Sequence, residues 1–243
     1  MKFFKLLVAA CVLTFSFYSC KKDDVSKCTS TLVKTLTKNY YDTGTGVLAG
    51  SMTYNVTYDA NNRVTSIIST DNTDKLLYDY PSSTKYTIDE YSNPSSIPDF
   101  HKEVYLNSVS LVDSVFFRQY GNDTVTEKYS YNSSKQLISK KTTPKGYSST
   151  IDYYIYDASG NPTTNSTTNY VTTSTYSTLP NSNPLAEPNF FQSPNLILTS
   201  STYNGGVLYS TSYTYTFDSN NRLSSEKTID QQGRTTSMRT YSY

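Results

Sequence analysis

The chain has 243 residues, a net charge of +1 and a pI near 7.6, with 21 basic and 20 acidic residues spread along its length. This even distribution excludes the basic stripe that nucleic-acid binding requires, and no acidic tail is present. Trp is absent, Tyr numbers 25, and Ser with Thr fills roughly 30% of positions. Aromatic and β-branched residues favour strands. The composition therefore predicts a single extracellular β domain with a thin core and no nucleic-acid partner.

The first 19 residues have the layout of a secretory signal peptide. Lys2 and Lys5 precede an uncharged run from Leu6 to Ser19. As a helix this run would span only about 20 Å, against about 30 Å of membrane hydrocarbon, so it is too short for a comfortable span. Residues 1–19 are predicted to be removed from the mature protein.

Cys20 ends the apolar run and follows a small residue, Ser19. The segment resembles the signal of bacterial lipoproteins, although Phe17 and Tyr18 depart from the usual residues. In that family the cysteine thiol takes a diacylglycerol and the freed amine takes a further acyl chain. The resemblance implies that Cys20 becomes the lipidated first residue, which would hold the protein on a membrane. The alternative is an ordinary signal peptide in which Cys20 is incidental.

Four charged residues follow the cysteine: Lys21, Lys22, Asp23 and Asp24. They resemble the lysine-plus-two-acids export signal of surface lipoproteins in one large phylum of Gram-negative bacteria. The resemblance implies an outer-membrane protein exposed at the cell surface, whereas a solvated charged spacer is the plainer reading. Residues 20–29 are predicted to be a lipidated tether. Cys28 is left without an obvious partner, so no disulfide framework is expected.

Period-two alternation dominates residues 30–243, which are predicted to form a single domain. Tyr54, Val56 and Tyr58 alternate with polar residues. The same alternation of mainly apolar or aromatic with mainly polar residues recurs in 125–131 and in 207–217. Such alternation is typical of strands with one covered and one wetted face. We expect an all-β fold, an antiparallel up-and-down meander of about ten to fourteen strands, curved or partly closed into a barrel-like sheet.

The turns between these strands repeat. YDANNRVTS (58–66) and FDSNNRLSS (217–225) are near copies in which Asn tolerates the left-handed backbone of a tight turn. Aromatic residues recur about every 25 positions at Tyr80, Tyr105, Tyr131 and Tyr156, a spacing that suggests repeats. The pattern resembles the tyrosine-aspartate repeats of the RHS/YD class in degenerate form.

A second resemblance covers residues 30–243. The YxYD…NNR hairpins, the Asn-Pro-Leu loop and the segment SPNLILTSSTYNGG are similar to a domain-of-unknown-function family of bacterial lipoproteins described as having a porin-like fold. That family has no established activity. The resemblance implies a fold and a location in the cell envelope, and no mechanism.

The segment from about 179 to 195 breaks the alternation with four prolines, which fit neither a central strand nor a helix interior. We expect a long irregular loop there. Phe190 and Phe191 are candidates either to anchor this loop by plugging an open end of the sheet or to contact a partner.

The sequence contains few catalytic or metal-binding patterns. His101 is the only histidine and has no partner at metal-ligand spacing. Asp89, Glu90 and Glu127 belong to no recognisable glycosidase pattern, and the nucleophile turn G-x-S-x-G is absent. We therefore predict no catalytic residues, no metal and no cofactor, and a secreted glycan-active enzyme is a disfavoured alternative.

Two classes of function remain open. The first is a non-catalytic surface module that binds a glycan or another envelope protein, for which tyrosine rings offer flat contact surfaces. The second is an integral outer-membrane barrel. It is disfavoured because a lipid-facing band carries mainly aliphatic residues, whereas the alternating faces here carry Tyr, Thr and Ser.

Overall fold

Sixteen antiparallel strands close into a barrel in the computed structural model, which describes residues 32–92, 96–119, 124–181, 185 and 192–243. The first eight strands are β1 (Thr35–Tyr41), β2 (Leu48–Tyr58), β3 (Val64–Ser69), β4 (Asp74–Ser82), β5 (Lys85–Ser92), β6 (Phe100–Leu106), β7 (Val112–Gln119) and β8 (Thr124–Tyr131). The last eight are β9 (Leu137–Pro144), β10 (Thr150–Tyr156), β11 (Pro162–Ser166), β12 (Tyr170–Pro180), β13 (Asn195–Asn204), β14 (Val207–Phe217), β15 (Leu223–Asp230) and β16 (Thr235–Ser242).

Each strand pairs with its neighbours in sequence, and β1 pairs with β16 to close the sheet. The predicted up-and-down meander is confirmed, and the closure is complete, which removes the exposed sheet edges. The predicted number of ten to fourteen strands is too low. Short polar strands such as β11, with the sequence PTTNS, show no alternation of apolar and polar residues that would separate them from turns.

No helix in the described part of the chain is long and apolar enough to cross a membrane.

The two ends of the barrel differ, and we name them by the chain termini. The terminal end carries Leu32, the first described residue, and Tyr243, the last residue. The distal end is opposite, and the turn between β1 and β2 is the first one there. Because the strands alternate in direction, every turn from an even to an odd strand lies at the terminal end.

Five turns at the terminal end and the last turn at the distal end share one hydrogen-bonding pattern and backbone conformation. A side-chain oxygen at the first turn position accepts hydrogen bonds from the amides two and four residues later, as Asp218 does from Asn220 and Arg222, both at 2.9 Å. The fourth position has a positive φ, 58° at Asn221, and the strand register shifts beside it. The first residues of these turns are Asp59, Asn107, Asn132, Asp157, Asp218 and Asp230. Tight turns favour Asn, Asp and Gly because of the backbone conformation that they require. The repeated turn motifs are therefore explained by conformation alone.

A ring of tyrosines encircles the terminal end. Seven of the eight even-numbered strands carry a tyrosine of this ring, within the strand or just after its last residue. Each tyrosine hydroxyl donates a hydrogen bond of 2.7–3.0 Å to a backbone carbonyl at or near the start of the preceding odd-numbered strand. The ring consists of Tyr58, Tyr80, Tyr131, Tyr156, Tyr176, Tyr215 and Tyr243. The aromatic spacing noted in the sequence therefore reflects one tyrosine per hairpin. Tyr105 is an exception, since its hydroxyl donates to Glu103 on the outer wall.

Candidate functional site: a tyrosine-lined cup

The interior of the barrel is a cup closed at the terminal end. On β2, Tyr54 and Val56 face inward and are buried, whereas Asn55 and Thr57 between them are exposed on the outer wall. Two apolar clusters lie in the terminal half of the interior. The first contains Val33, Leu36, Tyr54, Val56, Ile67, Leu223 and Tyr241, and the second contains Tyr86, Ile88, Val104, Val112 and Val115. These clusters form the base of the cup.

The cup opens at the distal end. Along the inward face of β5, Tyr86 is 1% exposed and Ile88 5%, while Glu90, nearest the distal end, is exposed. On β14, Tyr215 is half-buried, whereas Tyr209, six residues nearer the distal end on the same face, is 56% exposed. Burial thus decreases steadily from base to mouth, which leaves an accessible concave surface.

A group of ion-paired side chains lies on the inner wall of the cup. The Lys140 ammonium lies 3.2 Å from Glu127 Oε1 and 3.5 Å from Asp152 Oδ2. Tyr129 donates to Glu127, and Tyr170 donates to Asp152 at 2.8 Å. Every charge in this group has a partner, as buried charges require. Glu127, considered above as a glycosidase acid, therefore lies in a saturated ionic network.

A second charged group lies on β15, β16 and β1, where Arg239 is the cross-strand partner of both Glu226 and Lys38. Arg239 Nη1 is 3.9 Å from Glu226 Oε1. The Lys38 ammonium lies over the Tyr54 ring, 4.7 Å from its centroid. Burial lowers the pKa of Lys38, and the neighbouring Arg239 lowers it further.

Much of the outer wall is polar, although Ile151, Tyr153 and Ile155 form an exposed apolar face on β10. Hydroxyl pairs join neighbouring strands, as at Thr37–Thr53, 3.0 Å, and Thr216–Ser225, 2.7 Å. Charged side chains stand on the same wall, including an ion pair of 3.1 Å between Lys85 and Glu103. The hydroxyl of Tyr105 donates to Glu103 and, together with Lys85, lowers the pKa of Glu103 to about 2.

His101 lies on this outer wall and not in the cup. Its Nδ1 is 2.6 Å from Asp89 Oδ1, and its Nε2 is 3.5 Å from Glu103 Oε1. Asp89 and Glu90 point to opposite sides of the sheet, because neighbouring residues of a strand alternate. Within the described residues, no group of three or more His, Cys, Asp or Glu side chains is arranged to hold a metal ion.

Several predicted site residues lie outside the described residues: Cys20, Lys21, Lys22, Asp23, Asp24, Phe190 and Phe191. Lipidation, surface export and the role of the two phenylalanines therefore stay predictions. In the loop that joins β12 to β13, the described residue Leu185 packs against the first apolar cluster of the base.

Sequence reasoning missed the charges inside the cup. The sequence could have identified these charges, because each one occupies the same alternate positions of its strand as the inward apolar or aromatic residues. Lys38 lies between Leu36 and Tyr40, and Arg239 precedes Tyr241 by two positions. A charge at an inward position of an alternating strand marks a polar site in the interior.

Comparisons with known proteins support the fold alone. No known protein-family profile matches the chain, and no curated protein matches it by sequence. Among solved structures, the chain is similar to a porin-like protein from Bacteroides uniformis, with a TM-score of 0.57 and 12% identity over 86% of this chain and 97% of that one. It is also similar to a porin-like protein from Bacteroides vulgatus, with a TM-score of 0.58 and 11% identity over 88% and 98% of the respective chains. The porin-like fold is thus confirmed, while the resemblances to the lipoprotein family and to YD repeats stay predictions.

Proposed function

We propose that the protein is a water-exposed barrel, anchored to the outer membrane by a lipid on Cys20, that binds a ligand in its cup without catalysing a reaction. The observation that carries this proposal is the polarity of the two faces. Tyrosines and aliphatic residues make up most of the buried interior, whereas hydroxyl pairs and ions lie on much of the outer wall.

The outer wall argues for water on the outside. A Lys or Arg on the lipid face of a membrane barrel costs about 2–4 kcal/mol at the bilayer midplane. Charges stand along much of β5 and β6, from Lys85 beside the terminal end to Asp89 and His101 in the distal half. An unbroken apolar band cannot pass across these two strands.

The position of the chain terminus supports the anchoring. The described chain enters the barrel at the closed base, where Lys34 N donates to Ser242 O at 2.7 Å. A tether from Cys20 would therefore join the barrel at its closed base.

Detergent-free solubility tests the proposal. A chain beginning at Asp23 contains every strand of the barrel, and we expect it to be monodisperse in buffer without detergent. Labelled palmitate should enter the full-length protein and not Cys20→Ala, and protease added to intact cells should digest the wild-type protein. A product that needs detergent would refute the water-exposed barrel, and absence of label would refute the anchor.

An integral outer-membrane barrel is the second candidate, and one feature of the outer wall favours it. Successive cross-strand pairs place Tyr153, Val171, Tyr203 and Leu208 in one exposed row across β10 to β14. The row covers one side of the wall only. If the chain beginning at Asp23 partitions into detergent micelles, this row is the surface expected to contact the detergent.

A further inference from the structure

One side of the outer wall carries no charged residue among those that the structure describes. Strands β10 to β14 form this side, and we call their outward-facing residues the uncharged wall. The only charged residue within these five strands, Asp152, points into the cup and is 5% exposed. Between Asp157 and Asp218 the sequence has only Glu187, which lies outside the described residues, although charged residues make up 17% of the chain. This side of the barrel thus lacks the ions that stand on β5 and β6.

Large apolar side chains are exposed on the uncharged wall. On β10, Ile151 is 37% exposed, Tyr153 56% and Ile155 61%. The row of cross-strand partners that begins at Tyr153 continues on the next four strands with Ser166, Val171, Tyr203 and Leu208. The other outward residues of these strands are mainly Ser and Thr. A contiguous exposed apolar patch of this kind indicates contact with a partner molecule or a membrane.

Lysines border the uncharged wall on both sides. Ile151 is the cross-strand partner of Lys141 on β9, and Lys141 is the partner of Lys128 on β8. Both lysines are exposed, and neither forms an ion pair within the described part of the chain. At the other border, Lys227 on β15 is the partner of Thr214 on β14. On the strand that flanks each border, the outward charge is therefore positive.

These basic borders distinguish between the possible occupants of the uncharged wall. Like charges directly opposite each other destabilise a sheet, so Lys128 and Lys141 gain from an anion that binds beside them. The phosphates of anionic lipids supply such charges. A second copy of the chain does not. If two copies packed by their uncharged walls with aligned barrel axes, a lysine border of one would meet a lysine border of the other in either direction. Charge complementarity thus favours an anionic lipid surface.

We propose that the barrel lies with its uncharged wall against the surface of a bilayer that contains anionic phospholipids. The apolar residues enter the interfacial layer, where the rings of Tyr153 and Tyr203 suit the boundary between acyl chains and water. Lys128, Lys141 and Lys227 lie beside the lipid phosphates, which attract cations close to the surface. The contact is peripheral, because only five of the sixteen strands take part and Ser and Thr occupy much of the wall. This inference goes beyond the proposed function and does not require the lipid anchor.

Co-sedimentation with lipid vesicles tests the inference. The protein used is the chain beginning at Asp23, which lacks Cys20 and the two lysines that follow it. We expect it to bind vesicles of phosphatidylcholine and phosphatidylglycerol in equal parts, and vesicles of phosphatidylcholine alone at least about tenfold more weakly. Added salt should weaken the binding to the mixed vesicles, because it screens the attraction between lysines and phosphates.

A pair of variants tests the apolar contact. Ile151→Ser/Ile155→Ser removes two apolar side chains from the uncharged wall and should weaken binding to the mixed vesicles at least about tenfold. Val47→Ser/Val109→Ser is the matched control, since these residues are 64% and 53% exposed in turns outside the wall. The control should bind like the wild type. Melting temperatures show whether each variant is folded.

A second pair tests the charges at the border. Lys128→Gln/Lys141→Gln should weaken binding to the mixed vesicles at least about tenfold, because each cation near an anionic surface contributes about 1 kcal/mol. Lys34→Gln/Lys75→Gln makes the same charge change just before β1 and on β4, away from the uncharged wall. It should bind like the wild type. The lysine variant keeps the inference testable even if the serine variant does not fold.

Several results would overturn the inference and leave the proposed function standing. They are absence of wild-type binding to the mixed vesicles, unchanged binding in the folded wall variants, and an equal loss in a control. A dimer of the lipid-free chain that Ile151→Ser/Ile155→Ser dissociates would assign the wall to a second copy and would also overturn it. A chain that is insoluble without detergent would overturn the proposed function and this inference with it, because the whole wall would then lie within a bilayer.

Discussion

The hydroxyl of Tyr131 donates a hydrogen bond of 2.9 Å to the carbonyl of Val112, 19 residues earlier in the chain. Tyr131 ends β8 and Val112 begins β7, so the bond joins two neighbouring strands at the terminal end through a side chain. The same relationship recurs around the barrel in the tyrosine ring. The ring offers a direct test of what holds the base of the cup together.

Tyr131→Phe should destabilise the barrel by about 1–2 kcal/mol, because it leaves the carbonyl of the fully buried Val112 without this donor. Urea unfolding followed by circular dichroism measures the loss. Tyr153→Phe is the matched control, since Tyr153 is 56% exposed on the outer wall, and its change should stay within about 0.5 kcal/mol. Equal effects of the two substitutions would contradict a structural role for the ring.

Alkaline pH should unfold the protein. Burial is the main cause that raises the pKa of Tyr131, Tyr156, Tyr170 and Tyr241 to about 12, from 10.0. Between these values the unfolded chain loses protons that the folded barrel retains, so stability is full below pH 10 and falls as pH rises towards 12. Melting temperatures taken from pH 8 to pH 12 should decline steeply above pH 10. A flat profile over that interval would show that these tyrosines are not buried as described.

The turn at Asn221 has a positive φ of 58°. Asn221→Ala should cost about 1 kcal/mol, because a non-glycine residue without the Asn side chain is strained in this region. Asn221→Gly should cost little or nothing. Asn220→Ala changes the neighbouring position, which is not among those with positive φ, and serves as the control. Thermal unfolding of the three variants measures the order, and a more stable Ala than Gly variant at 221 would refute the turn geometry.

Lys140 holds two carboxylates on the wall of the cup. Lys140→Met should leave Glu127 and Asp152 without their shared cation and cost about 2 kcal/mol, less than for a fully buried pair because Lys140 is partly exposed. Lys141→Met, one residue along and exposed on the outer wall, should change the unfolding free energy by less than about 0.5 kcal/mol. A similar loss in both variants would mean that the network contributes nothing specific.

Local patterns allowed most of the fold to be predicted. Alternation along residues such as Tyr54, Val56 and Tyr58 indicated the strands and the face that each one buries. The Asn-Asn-Arg repeats indicated the turns, because left-handed backbone restricts the choice of residue at Asn62 and Asn221. The strand count was underestimated where a strand such as β11 is short and polar throughout.

The candidate site was less accessible from the sequence. The cup depends on which side of each strand faces inward and on which end of the barrel is filled. Lys38 and Arg239 are about 200 positions apart in sequence and meet only because β1 pairs with β16. His101 could not be assigned to the outer wall until the register with Asp89 was known.

The sequence by itself determined the strand-and-turn character of the chain, because alternation and turn chemistry act over a few residues. Only the tertiary structure decided that sixteen strands close, that the tyrosines line a cup and that two distant cations face each other inside it. Closure fixes the register of the first strand against the last. That register is a property of the whole sheet, and no local segment encodes it.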